Sequence, residues 1–124
     1  MGQHFKDLVA WQKAMEMVVE VYELTDGFPQ REVYSLTIQI RRAAVSVPSN
    51  IAEGQAHHNR REFLHFLRHS SGSLAELETQ LNLAERLGYA DPASASAAIE
   101  RVQEVGRILN GLISSVREQI DRQE

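Results

Sequence analysis

Apolar residues recur at helical spacing in four stretches of the chain, and polar or helix-breaking residues separate these stretches. Steps of three and four residues between apolar positions place those side chains on one face of a helix. The pattern therefore predicts four amphipathic helices. No stretch shows the pattern of a β-strand.

The first predicted helix covers residues 6–24. Asp7 is suited to its start, because an acidic side chain caps a helix N-terminus or opposes its dipole. Asp26-Gly27-Phe28-Pro29 ends it, since glycine permits a positive φ and proline cannot continue a helix. Its apolar stripe consists of Leu8, Trp11, Met15, Val18 and Tyr22.

Pro48 lies inside the apolar stripe of the second predicted helix, which covers residues 31–55. Proline removes one backbone hydrogen bond and crowds the preceding turn. The helix therefore either ends near Val47 or continues with a kink. We favour the continuous, kinked helix because the stripe keeps its phase through Ile51.

The third and fourth predicted helices have clear start signals. Asn59 followed by Glu62 resembles a capping box, and Asp91-Pro92 combines a cap residue with proline at the first helical position. Gly88 predicts the stop between the two helices. The third helix carries a heptad seam with one polar position. The seam consists of Phe63, Leu67, Ser70, Leu74, Leu77, Leu81 and Ala84.

Four helices joined by short loops predict an all-α fold, an antiparallel up-down-up-down four-helix bundle whose second helix is kinked at Pro48. We expect one domain over residues 1–124, because this length lies in the usual single-domain range. The antiparallel register brings Arg41 and Arg42 level with Glu16 and close to Glu76. It therefore predicts an ion-pair cluster of these four side chains.

Several sequence blocks resemble those of the four-helix-bundle proteins encoded in 23S rRNA intervening sequences. The resemblance covers residues 5–89 in order. The blocks are FKDLVAWQKA at 5–14, FP at 28–29, YSLTIQIRRAAVSVPSNIAEG at 34–54, EFLHFL at 62–67, GSLAELETQL at 72–81 and LGY at 87–89.

This resemblance implies a four-helix bundle with Pro48 inside the second helix, assembled as a homo-pentameric ring. The related accessory proteins of diversity-generating retroelements work with a reverse transcriptase and bind nucleic acid. The expected partners are therefore further copies of the chain, RNA or DNA, and a reverse transcriptase or other protein. Those accessory proteins tend to be basic, whereas this chain has a net charge of −4.

Some residues in these blocks are expected to be structural. Trp11 is expected in the core or at an interface. Glycine at position 72 would let a neighbouring subunit come close, so Gly72→Leu is expected to break the assembly before the helices. The full structural set is Trp11, Pro48, Asn50, Glu53, Gly54 and Gly72.

The charge of the chain is uneven. Residues 31–69 carry 6 basic and 3 acidic side chains and four of the five histidines, while both flanking segments are acidic. Repeated around a ring, a basic patch here would bind a polyanion with avidity; alternatively it is an ordinary solvated face. Phe63 and Phe66 are interpreted as core, so base stacking is not expected. The candidate nucleic-acid or partner-binding residues are Arg41, Arg42, Arg60, Arg61, His65, Arg68 and His69.

The sequence offers little support for catalysis. A di-iron bundle site needs two Glu-x-x-His motifs, and this chain has one, at Glu62–His65. The chain has no Cys, and it shows no phosphate loop or nucleophile elbow. His65 and His69 could together hold a surface metal ion. We nevertheless expect no metal, no cofactor and no enzymatic activity.

Composition also indicates the setting. No apolar run is long enough to span a membrane, and the lack of Cys fits a reducing cytoplasm. We therefore expect a cytoplasmic, non-enzymatic, ring-forming scaffold that binds nucleic acid or a nucleic-acid-processing partner. The alternative is a self-assembling bundle with a protein partner only.

Overall fold

The computed structural model describes residues 4–123. Four α-helices make up most of this range: α1 (Val9–Thr25), α2 (Leu36–Ala56), α3 (Arg60–Arg86) and α4 (Pro92–Gln123). Each helix packs against the next one along the chain, and α4 packs against α1. The predicted all-α four-helix bundle is confirmed.

The helix α2 continues through Pro48, as predicted, and Pro48 is buried. The side-chain amide of Asn50 donates to the Ser46 carbonyl at 2.8 Å and to the Ser46 hydroxyl at 2.9 Å. The Ser46 hydroxyl in turn lies 2.8 Å from the hydroxyl of Ser73 on α3. Asn50 therefore braces the turn around the proline and links it to the neighbouring helix.

The heptad seam of α3 faces the core along its whole length, because all seven predicted positions are buried. Ser70, the polar member, donates a hydrogen bond from its hydroxyl to the Val47 carbonyl at 2.9 Å. A buried hydroxyl that has such a partner avoids most of the desolvation cost of an unpaired one. The polar position is thus compatible with the core.

The predicted helix signals between α2 and α4 are confirmed. Asn59 accepts a hydrogen bond from the Glu62 amide at 3.0 Å, and Asp91 accepts one from the Ser94 amide at 2.9 Å. Gly88 has a φ of +78°, and the Tyr89 amide donates to the Ala84 carbonyl at 3.0 Å. This geometry is that of a Schellman stop, which favours glycine.

The starts of the first two helices differ from the prediction. Phe5–Asp7 and Gln30–Glu32 form separate 3₁₀ turns, so α1 begins at Val9 and α2 at Leu36. Leu8, not Asp7, is the N-cap residue of α1, and it makes no side-chain cap bond. Apolar periodicity cannot distinguish a 3₁₀ turn from the first turn of an α-helix.

The buried face of α1 also differs from the stripe that the sequence predicts. Within that stripe Leu8 is buried, whereas the side chains of Met15 and Tyr22 are 41% and 40% exposed. Two alanines lie on the inward face, which allows a close approach to the neighbouring helices. The inward face consists of Ala10, Ala14, Met17, Val21 and Thr25.

The helices α2 and α3 meet closely at Gly54. A Cβ atom at this position would lie 2.7 Å from the Cβ of Phe66 and 3.1 Å from the Cδ1 of Phe63. Real Cβ atoms essentially never come within 3.0 Å of such neighbours. Glycine therefore determines how near α3 lies to the end of α2, and where the Phe66 ring is held.

Candidate nucleic-acid interface

A groove lies between the first half of α3 and the last turns of α4. Its volume is about 340 Å³, and most of its lining side chains are exposed. We call it the basic groove because it contains three arginines. It is lined by Arg61, Leu64, His65, Arg68, Arg117, Ile120 and Asp121.

Local structure fixes both walls of the basic groove. Asn59 caps α3 immediately before the groove, and the spacing of Arg61, His65 and Arg68 places these three side chains on one helix face. Across the groove, the Arg60 guanidinium donates to the Gln119 side-chain oxygen at 3.1 Å. This bond ties the end of α4 to the start of α3.

Positive charge predominates in the basic groove. It contains the guanidinium groups of Arg61, Arg68 and Arg117 against one carboxylate, that of Asp121. Arg68 and Arg117 take part in none of the ion pairs found among residues 4–123. Arginine side chains outside such pairs are available to bind phosphate or carboxylate groups in bidentate geometry.

A second, shallower groove continues along the outer face of α3. It shares His65 and Arg68 with the basic groove, and its volume is about 420 Å³. We call it the adjoining groove; it is lined by His65, Arg68, His69, Gly72, Ser73 and Glu76. From Arg61 to Glu76 the two grooves extend over about 22 Å of helix.

Four rings form a cluster on the edge of these grooves. The His57 ring is stacked on the Phe66 ring, with centroids 5.2 Å apart and planes 15° apart. His65 lies edge-on to Phe66 at 5.5 Å and edge-on to His69 at 4.6 Å. The three histidines are exposed and Phe66 is half-buried. The interpretation of Phe66 as core was therefore wrong, although Phe63 is buried as expected.

Arg41 and Arg42 lie outside both grooves. The Arg41 guanidinium donates to the Asp26 carboxylate at 2.9 Å and to the Thr25 hydroxyl at 2.8 Å, and it lies 4.5 Å from the centre of the Tyr22 ring. Arg41 thus holds the end of α1 against α2. Arg42 is exposed.

The predicted ion-pair cluster of Arg41, Arg42, Glu16 and Glu76 is wrong. Arg41 pairs with Asp26, and Glu16 lies 3.9 Å from the Lys13 ammonium group. The cluster follows from the height of each residue along the bundle. Height gives no information on which side of its helix a side chain lies.

Sequence reasoning missed the α4 wall of the basic groove. Arg117 belongs to a segment with a net charge of −4, and counting charge by segment hid it. The antiparallel register of α3 and α4 could have identified Arg117. Antiparallel packing with Arg60 beside Gln119 brings Arg117 level with the first turn of α3.

The structural residues named from the sequence occupy different environments. Trp11 is half-buried and lies edge-on to Phe5, with ring centroids 5.4 Å apart. Glu53 is exposed. Gly72 is also exposed, and a Cβ atom there would have no neighbour within 4 Å, so the predicted subunit contact at Gly72 stays a prediction.

Neither a metal cluster nor a membrane span occurs in the part of the chain that the structure describes. Residues 4–123 contain no group of three or more His, Cys, Asp or Glu side chains that could hold a metal ion. The paired rings of His65 and His69 therefore lack a third ligand of these types. No described helix combines the length and apolar character that crossing a bilayer requires.

The fold and this surface together define the class of protein: an antiparallel four-helix bundle with an uninterrupted proline-containing second helix and a basic groove on one flank. The sequence profile of the family described as 23S rRNA-intervening sequence protein matches residues 6–111. The chain belongs to this family. Arg117, Ile120 and Asp121 lie beyond the matched residues.

A solved structure supports the fold. The crystal structure of a protein of unknown function from the S23 ribosomal protein family of Bacteroides thetaiotaomicron superposes with a TM-score of 0.76. The two chains are 22% identical, and the match covers 85% of this chain and 98% of the other. No curated protein shows significant similarity to this chain.

Proposed function

We propose that this chain is a non-enzymatic, self-associating scaffold that binds the phosphate backbone of a nucleic acid in the basic groove. The observation that carries the proposal is the convergence of Arg61, Arg68 and Arg117 from two helices on one open groove. The proposed setting is the cytoplasm, where nucleic acid and the proteins that process it are available as partners.

A local basic surface reconciles this function with the acidic chain. Phosphate contacts depend on cations near the ligand, and salt screens charges beyond about 10 Å. The acidic side chains of distant surfaces therefore oppose binding only weakly at ordinary ionic strength. Binding through phosphates alone would be insensitive to base sequence and strongly dependent on salt.

The test is fluorescence anisotropy with a labelled RNA oligonucleotide of mixed sequence, titrated at several salt concentrations. Removing one phosphate-binding side chain lowers the slope of log K against log salt by about one. We expect the double variant Arg68→Gln/Arg117→Gln to bind more weakly, with a slope lower by about two. The matched control is Arg86→Gln/Arg107→Gln, which removes two exposed arginines that line neither groove.

Two results would overturn the proposal. In the first, the native chain binds no nucleic acid at low salt. In the second, the groove variant and the control variant bind RNA equally well.

Self-association is the second part of the proposal. Four apolar side chains that share a face of α1 by helical spacing, and one of α2, are at least partly exposed. We call this set the apolar strip; it consists of Trp11, Met15, Val19, Tyr22 and Val45. Arg41 contacts Tyr22, and Val45 lies one turn further along α2, beside the preceding turn of α1. Water-exposed apolar surface of this kind is typical of protein interfaces.

We propose that the apolar strip joins copies of the chain in a ring, with five copies as the family resemblance implies. A ring would present several basic grooves to one polyanion, and such multivalency raises weak affinities. A nucleic-acid-processing protein such as a reverse transcriptase is the proposed further partner.

The alternative function is a self-assembling bundle with a protein partner only. The apolar strip and the net charge of −4 favour it, because neither feature involves nucleic acid. The two functions differ in the salt dependence of RNA binding. Only the first predicts a steep loss of affinity that depends on Arg68 and Arg117.

A further inference from the structure

We propose that the nucleic acid bound by this chain is single-stranded, with unpaired bases stacked on the exposed histidine rings beside the basic groove. This inference rests on the proposed function and adds the strand form of the ligand. It identifies His65 and His69 as the residues that recognise that form.

The ring cluster presents aromatic faces to solvent. His65 and His69 are both exposed on α3, and their rings meet edge-on at 4.6 Å. An edge-on pair leaves ring faces uncovered by the partner ring. His57, also exposed, covers Phe66 as a parallel ring at 5.2 Å. Surface aromatic rings, including imidazoles, are the platforms on which unpaired bases stack.

Position links the rings to the cations. His65 and Arg68 line both the basic groove and the adjoining groove, and His69 lines the adjoining groove. A strand whose phosphates contact Arg61, Arg68 and Arg117 would therefore pass directly beside these rings. A duplex could use the same cations, but its bases are stacked on each other and cannot offer their faces.

The centre of the ring cluster is packed against the bundle. Phe66, at its centre, packs against Gly54, where a Cβ atom would be only 2.7 Å from the Phe66 Cβ. The base of the cluster is therefore fixed by the contact between α2 and α3. The outer rings lie on regular helix or directly after it, so stacking of a base has to order their side chains but not their backbone.

The experiment compares two forms of one ligand: a labelled RNA oligonucleotide alone, and the same oligonucleotide annealed to its complement. The variant is His65→Ala/His69→Ala, whose exposed positions and higher helix propensity preserve the fold. We expect its affinity for the single strand to fall by about 5- to 160-fold, the range for one stacked base. Its affinity for the duplex should stay within about twofold.

A rescue variant separates stacking from charge. His69→Phe keeps an aromatic face and removes the imidazole nitrogens, so it should bind the single strand about as well as the native chain. Arg68→Gln, by contrast, should weaken both RNA forms, because both carry phosphates.

The outcomes are distinguishable. If the alanine variant loses affinity for both forms equally, or for neither, the strand preference is wrong while the proposed function stands. If His69→Phe binds the single strand as poorly as the double alanine variant, stacking on these rings is wrong. If the native chain binds neither form, the proposed function itself fails.

Discussion

Gly54 is the residue at which the spacing between α2 and α3 is decided. Its missing side chain lets Phe63 and Phe66 lie against the α2 backbone, and the four-ring cluster is built on Phe66. A residue with no chemistry of its own thus positions part of the proposed ligand surface.

We predict that Gly54→Ala destabilises the bundle. Overpacking typically costs about 1–3 kcal/mol, which outweighs the helix propensity gain of about 1 kcal/mol. The free energy of unfolding in urea should therefore fall. Gly111→Ala is the control, because it lies in α4 with no atom within 4 Å of the added Cβ and should raise that free energy. Equal stability of Gly54→Ala and native protein would contradict the close approach.

At the residue scale, burial could be predicted where the apolar pattern was unambiguous. All seven seam positions of α3 are buried because the heptad leaves one possible inward face. Met15 and Tyr22 belong to the predicted stripe but are partly exposed, because α1 has a second apolar face that packs inward. Periodicity does not reveal which of two such faces turns inward.

Among the elements, the two loops at one end of the bundle are joined through Tyr89, which contacts Phe28, Arg31 and Glu32. The Tyr89 hydroxyl, after α3, donates to the Glu32 carboxylate at 2.7 Å. Glu32 also accepts from the Leu36 amide at the start of α2, at 3.2 Å. These bonds lower the pKa of Glu32, and the bond to Glu32 raises the pKa of Tyr89.

We predict that this pair stabilises the fold only within a window of pH. The lowered pKa of Glu32 gives a contribution that is present above its ordinary value of 4.5 and lost as pH falls through the folded-state pKa. The raised pKa of Tyr89 gives a second contribution to the free energy of unfolding. This contribution is present below the ordinary pKa of 10.0 and is lost as pH rises through the folded-state pKa.

Urea unfolding of native protein and Tyr89→Phe across pH checks this prediction. Their difference in unfolding free energy should be largest near neutrality and shrink at both extremes. Tyr34→Phe, at a tyrosine that is 95% exposed, should match the native protein throughout. A difference between native and Tyr89→Phe protein that stays constant with pH would rule out the ionised pair.

The sequence predicts all four helices, but it predicts only some of their ends. Asn59, Gly88 and Asp91 make local bonds that depend only on nearby residues, so these ends could be predicted. The starts of α1 and α2 depend on 3₁₀ turns packed against other elements. For those starts, tertiary contacts decide the boundary.

For the molecule as a whole, the proposed association of copies rests on the apolar strip. We predict that the native chain elutes as an oligomer in size exclusion with light scattering, and that Val19→Glu shifts it toward the mass of one chain. A buried unpaired carboxylate opposes association strongly. Leu87→Glu places the same charge at an exposed leucine outside the strip and should leave the mass unchanged.

The Gly72→Leu variant tests the other surface named from the sequence. A Cβ atom at Gly72 has no neighbour within 4 Å in one protomer, so leucine there would exclude only a neighbouring copy packed against this position. Unchanged native mass in Gly72→Leu would contradict the subunit contact at Gly72, and unchanged native mass in Val19→Glu would contradict assembly through the apolar strip. A native chain with the mass of one protomer would contradict assembly altogether.

The candidate site was only partly accessible from the sequence. Arg61, His65 and Arg68 share a face by helical spacing alone, and they do line one groove. Arg41 has the same residue type but is held by the end of α1. Arg117 lies on α4, 49 residues after Arg68 along the chain, so only the packing of α4 brings it to the site.

The end of α4 extends beyond the start of α1. Arg101 pairs with Glu20 at 2.8 Å, so these residues are level. Val9 begins α1 11 residues before Glu20, and Leu112 lies 11 residues after Arg101. Residues 113–123, about 16 Å of helix, therefore extend past the start of α1.

Helical segments with fewer neighbours unfold locally at a lower free energy than the whole domain. Arg117 belongs to residues 113–123. Local unfolding of this segment would therefore remove one side of the basic groove. A strand that bridges Arg117 and Arg68 would bind only the closed state, and mass action would then suppress the opening. Binding of the ligand would thus stabilise the folded end of α4 against local unfolding.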